Sequence, residues 1–175
     1  LKLTESEKCF QSALKLDPKL LEAHWAHGLL LLSEQQYDAA LKEFSQAIAI
    51  DGTFSIPYFN RAQVYSLSHK YDLAVADYTK FIDISAKPPE LLVEAYANRA
   101  VCYGQLKRFG AGIKDTEMAL TLKPAPLVRA SILSTRGTLY EALGDKAKAV
   151  KSYEEAMACA PDDKRIMAQR GKLML

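Results

Sequence analysis

Four columns of residues recur along this chain at fixed internal spacing. The first holds small residues: Gly28, Ala62, Ala100, Gly137 and Gly171. The second is also small: Ser6, Ala40, Ala74, Gly112 and Ala149. The third is mostly aromatic, with Phe10, Phe44, Tyr78, Thr116 and Tyr153. The fourth reads Ala13, Ala47, Phe81, Ala119 and Ala156. Twelve residues separate the first column from the second in every complete unit. Between units the first column advances by 34, 38, 37 and 34 residues. Variation therefore falls in the connections, as expected when the constant part is one packed supersecondary unit.

Each unit carries two helical periods. Trp25, Gly28, Leu29 and Leu32 recur at i, i+3, i+4 and i+7. A second run holds Tyr37, Ala40, Leu41, Phe44, Ala47 and Ile48 at the same rhythm. No stretch alternates with period two for long, so strands are not indicated. Breaks fall at Asp17-Pro18, Asp51-Gly52, Lys87-Pro88-Pro89, Lys123 to Pro126, and Pro161 to Asp163. The pattern predicts ten helices, near 4–16, 20–34, 37–50, 55–68, 71–84, 89–106, 109–122, 126–143, 146–159 and 162–175. Small residues allow two antiparallel helices to cross closely. Gly28 is expected to face Ala40, with the aromatic column filling the space between one pair and the next. The 38- and 37-residue steps add four and three residues, each close to a helical turn. Pro89 and Pro126 suit a helix first turn, so helices starting there should be one turn longer. A short loop or 3₁₀ turn is the alternative.

Composition excludes several classes. With 49% apolar and 25% charged residues the chain is not of disordered type. Its 23 basic and 21 acidic side chains alternate in sign, which does not suit nucleic-acid binding. No apolar run comes near the length of a membrane span; Leu29 to Leu32 is four residues. No secretory-signal pattern stands at the N-terminus. Cys9, Cys102 and Cys159 are odd in number and widely spaced, without a zinc motif. They read as buried thiols of a reducing, cytoplasmic compartment. No phosphate loop, nucleophile motif or poised carboxylate pair is present, so no catalytic residue and no cofactor is assigned.

These columns resemble the tetratricopeptide repeat across essentially the whole chain. First-helix motif positions read Trp25 (displaced by one place), Gly28 and Leu31; Tyr58, Ala62 and Tyr65; Tyr96, Ala100 and Tyr103; Leu133, Gly137 and Tyr140. Ala13 with Asp17-Pro18, Ala119 with Lys123-Pro124, and Ala156 with Ala160-Pro161 match the closing turn. The array then divides into a half repeat 1–20, full repeats 21–54, 55–92, 93–129 and 130–163, and a half repeat 164–175. The resemblance implies an all-α, right-handed superhelical solenoid that binds a protein or peptide and is not an enzyme. Half units and the apolar set Ile166, Met167, Leu173, Met174 and Leu175 suggest a section through a longer array. End-to-end assembly is the alternative function, and an accessory or regulatory domain of an enzyme is a third.

In the family, first helices line a concave groove. The resemblance places Glu22, Trp25, Ala26, Leu29 and Leu32 there, then Phe59, Asn60 and Gln63. Glu94, Ala97, Asn98, Val101 and Gln105 follow, and then Ser131, Thr135 and Arg136. Trp25 and Phe59 are either exposed anchors or packed against a neighbouring helix. Asn60 and Asn98 match the amides that grip a peptide in the family's chaperone adaptors. The flanking cations of that clamp are missing, with Glu22 and Ala26 on one side and Ser131 and Thr135 on the other. A chaperone tail is accordingly a weaker reading. Arg61, Arg99, Arg136 and Arg170 form a column, with His27 in the first unit. Sixteen places on stand Glu43 after His27, Asp77 after Arg61, Asp115 after Arg99, but Ser152 after Arg136. Internal ion pairs are favoured over an anion-binding ladder, and Arg136 is the member most open to a ligand. His24 and His27 share a face but make no metal site on their own. Gly110, Gly112 and Thr116 mark the 109–122 helix as the softest part of the array.

Overall fold

A computed structural model describes residues 5–84 and 89–174, apart from the side chains of Pro89 and Met174. Among the described residues there are ten α-helices and no strand. They are α1 (Glu5–Leu16), α2 (Leu21–Ser33), α3 (Tyr37–Ile50), α4 (Ile56–Leu67), α5 (Tyr71–Ile84), α6 (Pro89–Gln105), α7 (Phe109–Thr121), α8 (Pro126–Ala142), α9 (Lys146–Cys159) and α10 (Lys164–Met174). All ten expected segments are helical, with ends shifted by no more than two residues. The break at Lys87-Pro88, the first four residues of the half repeat and Leu175 lie outside the described residues.

The helices form two compact units, Leu1–Ile84 and Ser85–Leu175. In the first, α2 pairs with α3 and α4 with α5, while α1 packs on α2 and α3 on α4. In the second, α6 pairs with α7 and α8 with α9, while α7 packs on α8 and α10 on α9. Three-residue connections make each pair antiparallel. Each unit is thus a stack of helix hairpins, the arrangement of an α-solenoid.

The turns within pairs share one device. Gln35, His69, Lys107 and Gly144 all have left-handed φ, between 57° and 80°. In the first turn, Gln36 N–H donates to Leu31 O at 2.8 Å and Gln35 N–H to Leu32 O at 3.0 Å. The same two bonds recur at Lys70 and His69, Arg108 and Lys107, and Asp145 and Gly144. This is the Schellman closure, which satisfies carbonyls at the helix end. After α1 and α3, and before α10, an aspartate caps the bend. Asp17, Asp51 and Asp163 each accept a backbone N–H from two residues on, at 2.9, 2.8 and 2.9 Å.

The columns form the core. Ala40, Ala74, Ala149, Ala47, Phe81, Ala119 and Ala156 are fully buried, as are Phe44, Tyr78, Thr116 and Tyr153. The small residues do two different jobs. At Gly112 a Cβ would approach Ala100 O and Leu139 at 3.0 Å, so columns one and two do face each other there. At Gly28 a Cβ would meet Phe44 at 2.6 Å, and at Gly137 it would meet Tyr153 at 2.5 Å. The aromatic column therefore lies over the glycine of its own pair and also shares a cluster with the next helix, Phe44 with Val64 of α4 and Tyr153 with Ile166 of α10. A flat ring fills the space that Gly vacates, and van der Waals contact extends along the whole ring.

Helices α6 and α8 have 17 residues each, against 13 in α2 and 12 in α4. The longer steps are extra helical turns rather than loops. Cys102 is buried, but Cys9 is exposed and Cys159 only half-buried, which corrects the expectation of three buried thiols. The apolar residues of α10 divide. Ile166 and Leu173 pack on the core around Leu133 and Tyr153, whereas Met167 is exposed. In α7, Thr116 is buried and satisfied, its hydroxyl donating to Ile113 O at 2.7 Å. Gly110 has open space around its missing Cβ. Gly110→Ala should therefore raise stability by about 0.5 kcal/mol, read as a higher urea midpoint. A lower midpoint would contradict that space being available.

Candidate functional site

The first helices of the pairs carry the candidate residues, and each unit presents its own set. On α2 and α4, Trp25 Nε1–H donates to Asn60 Oδ1 at 2.9 Å. The Asn60 amide donates onward to Gln63 Oε1 at 3.3 Å. Trp25 also meets Phe54 edge-on, with ring centroids 6.0 Å apart. Asn60 is only 9% exposed. Both ends of its amide are engaged inside the protein, so it does not stand free to grip a peptide as its family position implied. Phe59 is 3% exposed and packs on Tyr78 and Phe81 at 5.8 and 5.2 Å. It belongs to the core and is not a surface anchor. Leu29 and Leu32 are half-buried against the cluster around Leu31, Phe44 and Val64. Glu22 is exposed. This face is largely closed by its own side chains.

On α6 and α8 the picture differs. Val101 is 42% exposed, Gln105 and Glu94 are exposed, and Asn98 is half-buried. A slot of about 240 Å³ opens beside Val101, Gly104, Gln105 and Phe109 on one side and Thr135, Thr138, Leu139 and Ala142 on the other. Its lining is mostly apolar, with Gln105, Thr135 and Thr138 as its neutral polar members. Phe109 and Leu139 were not evident from sequence, because the family places neither among the groove residues. A polar hollow of about 410 Å³ lies between α8 and α10, lined by Ser131, Ser134, Thr135, Arg165 and Gln169 among others. Ser134 donates to Gln169 Oε1 across it at 2.9 Å. Arg165 is held by Asp163 at 3.0 Å, and that guanidinium keeps the Asp163 carboxyl below its ordinary range. A third opening, about 360 Å³, sits where α6 and α8 begin, beside Glu90, Val93, Glu94, Leu122 to Ala125 and Val128.

The arginine column is structural. Arg61 binds Asp77 through two bonds of 2.7 and 2.8 Å and reaches Ser45 at 3.0 Å. Tyr58 and Tyr65 flank its guanidinium at 5.7 and 5.9 Å. The Asp77 bonds hold Arg61 above the ordinary guanidinium pKa despite burial. Arg99 repeats this with Asp115 at 2.7 and 2.8 Å, between Tyr96 and Tyr103. Burial is the largest influence and opposes its charge, but the hydrogen bond and charge of Asp115 together with Tyr103 and Tyr96 outweigh it and hold Arg99 above its ordinary pKa. Arg136 is not free either. It donates to Ser152 at 3.1 Å and to Glu155 at 2.6 Å, an acid nineteen places on that spacing arguments at sixteen overlooked.

His24 and His27 both turn toward Glu43, at 2.6 and 3.7 Å. Phe10 stacks on His27 at 5.5 Å. Among the described residues no group of three or more His, Cys, Asp or Glu could hold a metal ion. No described helix is long and apolar enough to cross a membrane.

Family models described as tetratricopeptide repeat match residues 21–54, 57–88, 93–126 and 130–163, well over half of the chain. Among curated proteins, Hsp70-Hsp90 organizing protein 3 of Arabidopsis thaliana is 25% identical over 95% of this chain and 28% of its own length. Human serine/threonine-protein phosphatase 5 is 31% identical over 51% of this chain and 17% of its own. The Haemophilus influenzae lipoprotein NlpI homolog is 31% identical over 49% of this chain and 27% of its own. The chain thus spans less than a third of the length of these relatives. Among solved structures, the MamA protein superimposes with a TM-score of 0.79 at 17% identity, over 90% of this chain and 82% of that one. That likeness is one of fold. The first TPR of Spaghetti (RPAP3), bound to the HSP90 peptide SRMEEVD, gives 0.61 at 26% identity, over 69% of this chain and 90% of that one.

Proposed function

Because the chain belongs to the tetratricopeptide repeat family, we propose that it is a non-catalytic protein-interaction module that holds a partner peptide on the α6–α8 face. The observation that carries this is the contrast between two equivalent surfaces. The α2–α4 face is closed by the Trp25–Asn60–Gln63 chain of hydrogen bonds. The α6–α8 face leaves Val101 exposed over an open slot. An extended segment lying along α6 would place one apolar side chain in that slot. Gln105 and Asn98 supply amides that both donate and accept, which suits peptide backbone.

The HSP90 peptide on the RPAP3 repeat carries three acidic residues. Recognition of such a tail calls for cations at the groove. Here the groove positions hold Glu22, Glu94, Ser131 and Thr135, so a neutral peptide with an apolar anchor is the better fit.

Peptides selected from a random display library on the wild-type chain provide the test. Val101→Asp should weaken the selected peptides by about tenfold or more. Trp25→Ala, on the closed face, should change their affinity by less than about twofold. Retained binding by a folded Val101→Asp protein would overturn the proposal. So would loss of binding in a folded Trp25→Ala protein.

A further inference from the structure

The cleft of about 360 Å³ at the start of α6 and α8 has an origin that can be traced residue by residue. Aligning Gly28 with Ala100 places Ala97 at the register of Trp25. In the first unit the Trp25 ring meets Phe54, carried by the segment that leads directly into α4. In the second unit the ring is replaced by the methyl group of Ala97, which shares a cluster with Val93 and Leu122, two residues of the cleft wall. Eight residues before Gly137, where Phe54 stands relative to Ala62, the chain is already in the extra turn of α8 at Arg129, and α6 is lengthened at the same end. The junction of α2 with α4 is filled by the chain's own aromatic rings; the junction where α6 and α8 begin is open. The open one is floored by Val93, Leu122, Pro124 and Val128.

We propose that this cleft docks a partner segment that inserts an aromatic side chain beside a lysine or arginine. The aromatic takes the kind of place that Trp25 occupies internally in the first unit. The cation is selected by the rim. Glu90 and Glu94 are both exposed, and no ion pair to either is found among the described residues. Glu90 sits in the first turn of α6, where it complements the helix N-terminus. Glu94 lies one turn further in and lacks that compensation. Among the described residues Lys123 is the one basic side chain lining the cleft, against Glu90 and Glu94, so the described rim is net negative. Opposite charge at a rim governs which partner is accepted more than how tightly it is held. This surface is separate from the Val101 slot and stands or falls independently of it.

End-blocked Gly-Lys-Trp-Lys-Gly and Gly-Glu-Trp-Glu-Gly peptides, titrated against the ¹⁵N-labelled whole chain, test the proposal. The basic peptide should shift the amides of residues 90–97 and 122–128, and bind about fivefold more tightly than the acidic one. Glu94→Gln should bring the two peptides within about twofold of each other. Ala97→Trp, which adds a ring beside Val93 and Leu122 of the cleft wall, should weaken the basic peptide by about tenfold. Should that variant not fold, Val128→Lys, which places a cation at the partly exposed α8 side of the cleft, serves the same purpose. Val101→Asp should leave this binding unchanged. Shifts elsewhere only, an acidic peptide that binds equally well, or full binding by a folded Ala97→Trp protein would each overturn it.

Discussion

Replacing Tyr153 with Ala should lower the unfolding free energy by about 3–5 kcal/mol, the range for removing a buried aromatic. The ring is fully buried and lies directly against Gly137. Its hydroxyl donates to Glu141 at 3.1 Å, and burial holds the phenol above its ordinary pKa. Tyr153→Phe removes the hydroxyl's bonds to Glu141 and to Thr138 Oγ1 at 3.2 Å and should cost about 1 kcal/mol. The informative partner is Gly137→Ala. Alone it pushes a Cβ to 2.5 Å from the ring, and overpacking of about 1–3 kcal/mol outweighs about 1 kcal/mol of helix propensity. In the Tyr153→Ala background the clash is gone and only the propensity gain remains. Gly137→Ala should then stabilise. A double-mutant cycle from urea unfolding would show this as a change of sign. Additive effects would mean that the ring and the glycine do not share one space.

What the sequence made legible follows from how each feature is encoded. The helices and the repeat were readable because period and spacing are written in residue type: Ala40, Phe44 and Ala47 leave little else for that segment to be. The extra turns of α6 and α8 were readable because additions near 3.6 residues next to a proline keep helical phase. The left-handed turn residues were not. Gly144 signals such a position, but Gln35, His69 and Lys107 are ordinary residues held there by helix closure on both sides. The candidate site was only half legible. A face assignment tells which side of a helix a residue is on, and says nothing about whether its neighbours have already used it. Phe59 and Asn60 lie on the assigned helix and are consumed by Tyr78, Phe81, Trp25 and Gln63. Val101 carries no special chemistry in sequence, and stands out only because nothing covers it.

Asp77→Ala should be the most damaging polar substitution in the first unit, at about 3–5 kcal/mol. It strands Arg61, whose side chain is 18% exposed and already committed between two tyrosines. The loss comes from an uncompensated charge and not from the worth of the pair itself. The double change Arg61→Met with Asp77→Leu should accordingly fall within about 1 kcal/mol of wild type. The contrasting case is the third arginine. Its acid, Glu155, is 38% exposed, and water can replace it, so Glu155→Ala should cost no more than about 1 kcal/mol. Chemical denaturation of the four proteins separates these accounts. If the double variant were as unstable as Asp77→Ala, the pair would be a net source of stability. If it were near neutral, the pair would serve to set the register of α4 on α5. That register fixes which side chains α4 turns outward and which, like Phe59, it keeps inside. The bidentate arginines thus bear on binding indirectly, by deciding which residues of a first helix remain for a partner to meet.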